Sequence, residues 1–366
     1  MKKDIILFIN SLGGGGAEGV CVSIANGLKK LGWNVTLLVM NLDNVDNLQK
    51  VSDDIIVKNL NVSNARKLFF KLRRFLNVNK ESKLICFTYE LSILTILARK
   101  SIYNNNIKII SRNINSLSKL SQNDKSTWRR KVVYPLIKRF YGHSDLIINQ
   151  CNGMKNELLL SNANLKDKSI VIYNPVNYEI EEESKKIDYK KIIKRNYLLY
   201  VGRLENQKDI HSLIYSFSII LNYEPGLQLR IIGKGSLERE LKGLSKQLGL
   251  DKNIEFLGFK SDVSKYYLEA KAVLLTSYFE GFPNVLIESV TLGTPVISFD
   301  CNNGPSEIIN KENGKLVSGR DVSVFAESVI DVISGEYSYY NIHKNAEKYY
   351  LDSIIYQWDS ILDRMD

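Results

Sequence analysis

The sequence predicts an α/β protein made of two doubly wound domains, each with a parallel sheet, and a cleft between them. Three observations predict this class. Short, nearly continuous apolar runs alternate with segments of helical spacing, which is typical of parallel strands covered on both faces. The pattern stops near the middle of the chain and then starts again. The length of 366 residues suits two domains of ordinary size.

The predicted strands are short runs rich in β-branched and other apolar residues. In the first half they cover residues 4–10, 33–40, 54–60, 83–89, 107–112 and 145–150. In the second half they cover residues 197–203, 228–233, 254–258, 272–277 and 295–300. Between them, apolar residues recur every three or four positions, as Val20, Ile24 and Leu28 do, which indicates helices.

The predicted domain boundary lies where these patterns stop. Residues 173–177 contain a proline, and residues 179–195 are charged with little apolar periodicity. We therefore expect an N-terminal domain over residues 1–178 and a C-terminal domain over residues 190–345. Helical spacing of the last apolar residues predicts a helix over 346–366 that can return to the N-terminal domain.

Composition excludes several classes of protein. With 44% apolar and 25% charged residues, the chain is neither disordered nor fibrous. No run approaches the roughly eighteen apolar residues of a membrane span. The N-terminal sequence MKKDIILFIN is interpreted as a first strand rather than a secretory signal. Four widely spaced cysteines and three histidines argue against a disulfide framework or a zinc module and favour a reducing cytoplasm.

The positive charge is concentrated in the first half of the chain. Residues 1–180 hold 27 Lys and Arg against 13 Asp and Glu, whereas residues 181–366 hold 23 against 27. Such asymmetry indicates that the first half meets an anionic partner, either a membrane surface or nucleic acid. No recognisable nucleic-acid module accompanies the cations, so we expect no nucleic-acid partner.

A glycine-rich loop follows the first predicted strand and opens the first helix. Gly14, Gly16 and Gly19 match the dinucleotide spacing G-x-G-x-x-G, and a helix start favours an anion. That fingerprint also needs an acid at the end of the second strand, where Asn41 stands with Asp43 slightly beyond. We expect the loop to approach a phosphate or a sugar; a turn that only permits tight packing is the alternative.

Two cations follow the first strand of the second domain. Arg203 would leave the strand end, and Lys208 would lie in the following loop or helix start. Together they could bind a diphosphate, because arginine can fork across two oxygens while lysine supplies a point charge. The alternative is a pair of solvated surface cations.

The segment EGFPNVLIE, residues 280–288, carries the clearest pattern. Pro283 suits the first turn of a helix, where its missing N–H is not needed. Glu280 would stand on the loop before that helix, and Glu288 would face the cleft about one and a half turns after Pro283. A carboxylate there can accept both hydroxyls of a ribose, while the loop holds a sugar against the helix N-terminus.

Taken in order, these segments resemble the retaining GT-B glycosyltransferases of family 4, and the resemblance covers most of the chain. It is carried by residues 15–18, 174–176, 202–208, 233–235, 256–258, 280–288, 293–296 and 313–314. It is especially similar to bacterial enzymes that extend lipid-linked oligosaccharides. The resemblance implies two Rossmann-like domains facing a central cleft, with the acceptor on the first domain and the donor on the second.

The resemblance implies catalytic roles for three residues. Arg203 and Lys208 would bind the donor diphosphate and support its departure. Glu280 would bind the hydroxyls of the donor sugar or the positive charge that develops near the anomeric carbon. Fixed cations at the leaving group explain how such a site works without a metal, and the chain contains no D-x-D motif.

Donor binding is implied for a wider set. Glu288 would hold the ribose, glycines of the first loop would let the first domain close on the diphosphate, and amides at the helix start would contact sugar or phosphate. The donor-binding residues are Gly15, Gly16, Arg203, Lys208, Phe282, Asn284, Val285 and Glu288.

One position departs from the family pattern. Many relatives carry a histidine after the fifth strand of the first domain, where this chain has Arg112 and Asn113. His143 lies too far downstream to replace it. Arg112 and Asn113 are therefore candidates for donor or acceptor contacts but not for a general base; a polar strand end is the alternative.

The resemblance also implies the partners. We expect a UDP-linked hexose or N-acetylhexosamine as donor, ahead of GDP-mannose, and an undecaprenyl-diphosphate-linked saccharide as acceptor, in surface polysaccharide or glycan biosynthesis. No metal and no other cofactor are expected. The enzyme would be cytoplasmic and peripheral on the anionic inner face of the cell membrane.

A basic amphipathic helix is predicted over residues 65–77. Its apolar stripe includes Leu68, Leu72 and Leu76. The residues predicted to face an anionic membrane are Arg66, Lys67, Phe70, Lys71, Arg73 and Arg74. A basic helix face with an exposed aromatic residue suits that surface. The alternative is a domain helix whose charges are simply solvated.

Two other functions remain open at this point. An oxidoreductase would use residues 14–19 for a nicotinamide dinucleotide. It would leave four residues without roles: Arg203, Lys208, Glu280 and Glu288. A sugar-nucleotide epimerase on the same two-domain plan would convert or hydrolyse its donor without any acceptor.

Overall fold

A computed structural model describes residues 3–114, 116, 121 and 126–365 of the chain. Internal contacts divide the chain into two units. The first comprises Met1–Asn177 together with Leu351–Asp366, and the second comprises Tyr178–Tyr350. The chain therefore leaves the first unit once and comes back to it.

The first unit is built on a sheet of seven described parallel strands. They are β1 (Asp4–Ile9), β2 (Asn34–Val39), β3 (Ile56–Asn59), β4 (Lys83–Cys86), β5 (Lys108–Asn113), β6 (Leu146–Asn149) and β7 (Ser169–Val171). Their order is β3-β2-β1-β4-β5-β6-β7. The direction of winding reverses between β1 and β4, which makes that place the topological switch point of the sheet.

The second unit is built on a sheet of six parallel strands, all within the described part of the chain. They are β8 (Tyr197–Val201), β9 (Gln228–Ile232), β10 (Ile254–Gly258), β11 (Ala272–Leu275), β12 (Val296–Phe299) and β13 (Gly314–Val317). Their order is β10-β9-β8-β11-β12-β13. The switch point of this sheet lies between β8 and β11.

Helices connect the strands in both units. Those of the first half are α1 (Gly16–Lys30), α2 (Ala65–Val78), α3 (Tyr89–Lys100), α4 (Tyr134–Phe140) and α5 (Asn152–Ser161), with a π-helical turn (Arg129–Val133) before α4. The others are α6 (Tyr178–Ser184), α7 (Ile210–Ile220), α8 (Glu238–Gln247), α9 (Ser264–Glu269), α10 (Asn284–Thr291), α11 (Pro305–Ile308), α12 (Val322–Ser334), α13 (Tyr339–Lys344) and α14 (Leu351–Asp363). None of the described helices is both long enough and apolar enough to cross a membrane.

Strand β1 shows why its sequence is almost continuously apolar. Ile5, Leu7 and Ile9 pack into one hydrophobic core, while Ile6 and Phe8 pack into another. Because side chains alternate along a strand, these two cores lie on opposite faces of the sheet. The first sheet is therefore buried on both sides, as the sequence pattern predicts.

The last helix, α14, packs against α1 in the first unit. Trp358 is buried in the same core as α1, and Asp359 accepts a hydrogen bond from the indole of Trp33 at 2.7 Å. Gly27 allows the close approach, because a Cβ there would lie 2.4 Å from a side-chain carbon of Ile355. The end of the chain thus completes the core of its first unit.

The predicted class of two doubly wound α/β domains is confirmed by the two parallel sheets and their crossover helices. Sequence patterns do not predict β7 and β13, which have three and four residues at the ends of their sheets. Helix α14 begins five residues later than predicted. Glu347–Tyr349 forms a separate short turn, and Tyr350 is extended before the helix starts.

Candidate active site

Two loops meet at the switch point of the second sheet. One follows β8 and contains Arg203 and Lys208, and the other follows β11 and contains Glu280. Ligands of doubly wound sheets bind beyond the carboxyl ends of the strands at this point. The motif residues found by sequence therefore occupy the position that the fold favours for a ligand.

Lys208 and Glu280 form an ion pair between these loops. Nζ of Lys208 lies 2.5 Å from Oε1 of Glu280, and the hydroxyl of Ser277 donates to the same oxygen at 2.6 Å. Only 6% of the Glu280 surface is exposed. A buried charge needs an opposite charge and good hydrogen bonds, and the Glu280 carboxylate has both, whereas the side chain of Lys208 is partly exposed.

Hydrogen bonds to main-chain carbonyls also tie the two loops together. Gln207 Nε2 donates to the carbonyl of Phe279 at 2.8 Å, and the N–H of Tyr278 donates to the carbonyl of Gln207 at 2.9 Å. The hydroxyl of Thr276 donates to the carbonyl of Lys208 at 3.0 Å. These bonds fix the backbone of Lys208 relative to the loop that carries Glu280.

Arg320, a residue that the sequence analysis missed, braces both loops. Its guanidinium donates to the carboxylate of Asp209, to the carbonyl of Thr276 at 2.6 Å and to that of Ser277 at 3.0 Å. It also stacks 4.2 Å from the ring centre of Tyr278. Asp209 adopts a left-handed backbone (φ 45°) and caps α7, so Arg320 stabilises a turn that few residues adopt readily.

Helix α10 begins next to Glu280, where the sequence predicts it. Pro283 is extended and caps the helix without a side-chain hydrogen bond, and Asn284 and Val285 form its first turn. The N–H groups of a first turn and the positive end of the helix dipole attract anions. The backbone at Asn284 and Val285 can therefore bind a phosphate or a sugar hydroxyl.

The loop before α10 is held by close packing of Phe282 and Pro283. Phe282 is buried, with its ring 5.6 Å from that of Tyr349 in an edge-on arrangement. Gly304 has a positive φ of 90°, and a Cβ there would lie 2.5 Å from the ring of Pro283. Phe282 therefore anchors the loop through its side chain, which leaves its backbone as the group that can reach a ligand.

Glu288 lies one turn further along α10 and is half-buried. The hydroxyl of Tyr267 donates to Oε2 of Glu288 at 2.9 Å. Tyr267 is fully buried, and burial, followed by the charge of Glu288, raises the pKa of its hydroxyl well above the ordinary value. Tyr267 stays protonated and fixes the orientation of the carboxylate; the sequence analysis missed it.

Arg203 is exposed at the end of β8. Within the described part of the chain its guanidinium has no hydrogen-bond or ion-pair partner, so it is available to an anion. Its loop is packed closely against a neighbouring one, because a Cβ at Gly233 would lie 1.8 Å from the carbonyl oxygen of Gly202. Ser236 donates twice to Glu205, and these bonds lower the pKa of that carboxyl.

In the first unit, Gly15 and Gly16 stand at the exposed start of α1. Gly15 is its extended N-cap and makes no side-chain capping bond, and Gly16 is its first residue. The loop follows β1, so it lies at the switch point of the first sheet. Both residues are placed where a helix N-terminus can meet an anion.

Arg112 is buried near the end of β5. Its Nη2 donates to Oδ1 of Asn174 at 2.5 Å, and its guanidinium lies 5.2 Å from the ring centre of Phe87. Nε and Nη1 have no hydrogen-bond partner among the described residues. Burial lowers the pKa of Arg112 to about 10. The structure thus places a cation with unused donors inside the first unit.

Asn113, the other candidate at this position, faces the opposite side of β5. Its amide donates to Oδ1 of Asn149 at 2.6 Å, and its carbonyl oxygen accepts from the hydroxyl of Tyr141. Only 1% of Asn113 is exposed. Its polar atoms are therefore engaged inside the first unit.

Helix α2 has a buried apolar face and an exposed basic face. The buried leucines are Leu68, Leu72 and Leu76. The exposed residues are Arg66, Lys67, Phe70, Lys71, Arg73 and Arg74. Two of the cations are engaged within the protein, because Lys71 donates to the carbonyl of Leu60 at 2.7 Å and Arg73 donates to Ser101 at 3.0 Å.

The second unit therefore presents fixed charges of both signs around an open helix start. An anionic leaving group fits the cations, and a polyhydroxyl ligand fits the carboxylates. Among the described residues, no group of three or more His, Cys, Asp or Glu side chains could hold a metal ion.

Comparison with known proteins finds glycosyltransferases among the proteins similar to this chain. The chain is 33% identical to the uncharacterized glycosyltransferase MJ1059 of Methanocaldococcus jannaschii over 50% of this chain and 46% of that protein. It is 28% identical, over 85% of both chains, to the N-acetylgalactosamine-N,N'-diacetylbacillosaminyl-diphospho-undecaprenol 4-alpha-N-acetylgalactosaminyltransferase of Campylobacter jejuni. The crystal structure of Anabaena Alr3699/HepE in complex with UDP shares its fold, with a TM-score of 0.78 at 18% identity over 99% of this chain and all of that one.

Two family models together cover most of the sequence. The model described as Glycosyltransferase Family 4 matches residues 14–180. The model described as Glycosyl transferases group 1 matches residues 181–349, which include the paired loops and α10. Because both family models match and the chain has two doubly wound sheets, it belongs to the family 4 glycosyltransferases of GT-B fold.

Proposed function

We propose that this glycosyltransferase moves a hexose or N-acetylhexosamine from a UDP-linked donor to a lipid-linked saccharide, with retention of the anomeric configuration. The observation that carries the proposal is the Lys208–Glu280 pair at the switch point of the second sheet, beside the start of α10. It supplies a cation for a departing diphosphate and a carboxylate for the sugar.

Arg203 and Lys208 bind the diphosphate in this proposal. Negative charge builds up on the leaving oxygen as its bond to the anomeric carbon breaks, and the electron pair of that bond stays with the diphosphate. Cations fixed before the reaction stabilise this charge without reorganisation. Arg203 is exposed and free to approach, whereas Lys208 is held in place by the backbone bonds of its loop.

Glu280 changes partner when the donor binds. In the free protein its carboxylate bonds to Lys208 and Ser277. A diphosphate competes for Lys208, which leaves Glu280 to accept sugar hydroxyls or to face the positive charge that develops at the anomeric carbon. A buried carboxylate that loses its cation is destabilised. Glu280 therefore gives up Lys208 only to a ligand that offers hydroxyl donors or positive charge in its place.

Glu288 and the start of α10 position the rest of the donor. We assign the two ribose hydroxyls to Glu288, whose carboxylate Tyr267 already orients. The backbone at Asn284 and Val285 meets the sugar or the phosphates. Fixed cations perform the task that a metal ion would perform at a leaving group, so we propose that transfer needs no metal.

The nature of the donor and acceptor is proposed from similar proteins. The Anabaena neighbour was crystallised with UDP, and the name of the Campylobacter relative describes a diphospho-undecaprenol acceptor. A lipid-linked acceptor also suits the exposed basic face of α2, since cations close to a bilayer are attracted to anionic lipids. We therefore place the enzyme at the membrane surface in surface-glycan assembly.

A panel of nucleotide sugars tests the proposal. Purified protein is mixed with UDP- and GDP-linked sugars, and the shift of its melting temperature identifies the donor. Transfer to a lipid-linked saccharide is then followed with and without EDTA, and NMR of the product reports the anomeric configuration. We expect a UDP-sugar to stabilise the protein and EDTA-insensitive transfer with retention.

The same experiment separates the competing functions. Consumption of the donor without an acceptor would indicate an epimerase or hydrolase, and stabilisation by NAD instead of nucleotide sugars would indicate an oxidoreductase. A UDP complex in which the nucleotide lies away from Lys208 and Glu288 would overturn the site assignment.

A further inference from the structure

The first unit contains a large cavity that the proposed chemistry does not use. Its volume is about 790 Å³, which is within the range of pockets that hold small-molecule ligands. Asn10, Ser11 and Asn41 line it where β1 and β2 end, and Thr88 lines it where β4 ends. The cavity therefore opens at the switch point of the first sheet, between β1 and β4.

The walls of the cavity are mainly apolar and run away from this edge. Leu94 and Leu97 of α3 line it together with Tyr89 at the start of the same helix. Leu97 lies eight positions after Tyr89, which corresponds to about 12 Å along a helix. Val132 and Leu136 line it from the π-helical turn and α4. The cavity is thus elongated, with polar groups at the sheet edge and apolar groups along its length.

An exposed indole lies at the rim of the cavity, and cations follow it in the chain. Trp128 lines it and is 60% exposed, and Val132 is 39% exposed. Arg129 also lines the cavity and forms an ion pair with Glu90. Arg130 and Lys131, the next two residues, are exposed. Indoles and cations side by side are typical of surfaces at the boundary of a lipid layer.

We propose that this cavity binds the hydrocarbon chain of a lipid phosphate, with the phosphate held by Arg129, which lines the cavity, and by the exposed cations that follow it in the chain. This rests on the proposed function, because it identifies the occupant as the part of the lipid-linked acceptor nearest its diphosphate. The apolar walls match a hydrocarbon and offer little to a nucleotide. Arg129 lines the cavity, and the exposed Arg130 and Lys131 that follow it in the chain add positive charge for an anionic head group.

Trp128 provides a direct signal for binding. The chain has three tryptophans, and the other two, Trp33 and Trp358, are 1% and 0% exposed. A chain that enters the cavity removes water from Trp128 alone, so its fluorescence emission should move to shorter wavelength. The full-length protein is titrated with n-alkyl phosphates of four to ten carbons at concentrations below micelle formation, and with inorganic phosphate.

Chain length decides whether the cavity binds the hydrocarbon. We expect affinity to rise about fourfold for each added methylene, the equivalent of about 0.8 kcal/mol, until the cavity is filled. Inorganic phosphate should leave the emission unchanged. Equal affinity for four- and ten-carbon chains would overturn the proposal, and so would an emission shift that depends only on protein concentration, which would indicate a second copy of the chain.

A matched pair of variants locates the site. Val132→Glu places a charge in the cavity wall, whereas Val324→Glu places one on α12 of the second unit at a similar exposure of 44%. Calorimetry with decyl phosphate should show at least tenfold weaker binding for Val132→Glu and less than twofold change for Val324→Glu. Equal effects of the two substitutions would contradict the assignment.

Failure of this inference is distinguishable from failure of the proposed function. Stabilisation of Val132→Glu by the UDP-sugar should equal that of the unmodified protein, since donor binding belongs to the second unit. Alkyl phosphate binding without any nucleotide-sugar binding would reject the proposed function and keep the cavity. Nucleotide-sugar binding without alkyl phosphate binding would reject only the proposal that the cavity binds a hydrocarbon chain.

Discussion

The two sheets have the same architecture but opposite chemistry at their switch points. In the second unit, Lys208 and Glu280 meet as a partly buried ion pair and Arg320 braces the loops around them. In the first unit, the corresponding place opens into a cavity with apolar walls and an exposed Trp128 at its rim. Parallel winding determines where a ligand binds, and the loop side chains determine what kind of ligand it is.

The comparison also shows two ways of using cations. The second unit fixes Lys208 within a network, which in our proposal holds its charge ready for one diphosphate. The first unit leaves many cations exposed on α2 and before α4, so that their charges act together on a surface. A fixed cation contributes to a specific transition state, whereas exposed cations contribute through long-range attraction that salt weakens.

Removal of the fixed cation should have the largest effect. Lys208→Ala should lower the rate of sugar transfer at least about 100-fold, on the order of 2.7 kcal/mol in the barrier. Glu288→Ala should lower it similarly through loss of ribose positioning. Lys265→Ala, an exposed cation on α9, is the control and should transfer sugar normally. Near-normal transfer by folded Lys208→Ala would contradict the catalytic role of the fixed cation. Binding of decyl phosphate by this variant should be unchanged, because that site lies in the first unit.

Loss of the brace should have the next largest effect. Arg320→Ala removes the bonds to Asp209 and to two carbonyls of the β11 loop, so Lys208 and Glu280 lose their fixed spacing. We expect kcat to fall about 30-fold, roughly 2 kcal/mol, with a smaller change in KM for the donor. Arg320→Lys should restore part of kcat. Equal loss in both variants, accompanied by a lower melting temperature, would indicate a purely structural role.

Loss of the Tyr267 hydroxyl should have a smaller effect, confined to donor binding. Tyr267→Phe keeps the buried ring but removes the bond to Glu288, and a hydrogen bond to a charged group contributes about 1.5 kcal/mol. KM for the donor should rise about tenfold with little change in kcat. A change in kcat alone would place Glu288 at the reacting carbon rather than at the ribose.

The exposed cations of the first unit should give the smallest effect per residue. Arg66→Gln should weaken binding to anionic vesicles about fivefold at low salt, since one cation near the surface contributes about 1 kcal/mol. The loss should disappear at high salt. Lys265→Gln in the second unit is the control. Vesicle binding that is equal for both variants would remove α2 from the membrane surface.

Local spacing predicts much of the candidate site in the second unit and little of what supports it. Pro283 and the two glutamates lie within nine consecutive residues, 280–288, so their pattern is visible in the sequence and predicts the start of the helix. Arg320 is 111 positions from Asp209, so its contact depends on how β13 is placed beside β12. Tyr267 looks like an ordinary core residue, because only the fold brings its hydroxyl to Glu288.

The first unit shows the same limit more strongly. Arg112 was singled out as a polar residue at a strand end, but its burial against Phe87 depends on the neighbouring strand. The cavity has no sequence signature, because its walls come from α3 and from residues 128–137, each of which has an ordinary amphipathic pattern. Short end strands such as β7 carry too few residues to show a period.

The placement of α14 has a consequence for synthesis of the chain. Residues 178–350 form a continuous segment that can acquire its own core as soon as it leaves the ribosome. The first unit begins before the second but is completed after it, because α14 supplies part of its core. Asp359 bonds the indole of Trp33, and Ile355 and Trp358 cover α1 near Gly27. A nascent chain therefore carries an uncovered apolar seam until α14 is translated, which is the interval when chaperones and proteases compete for it.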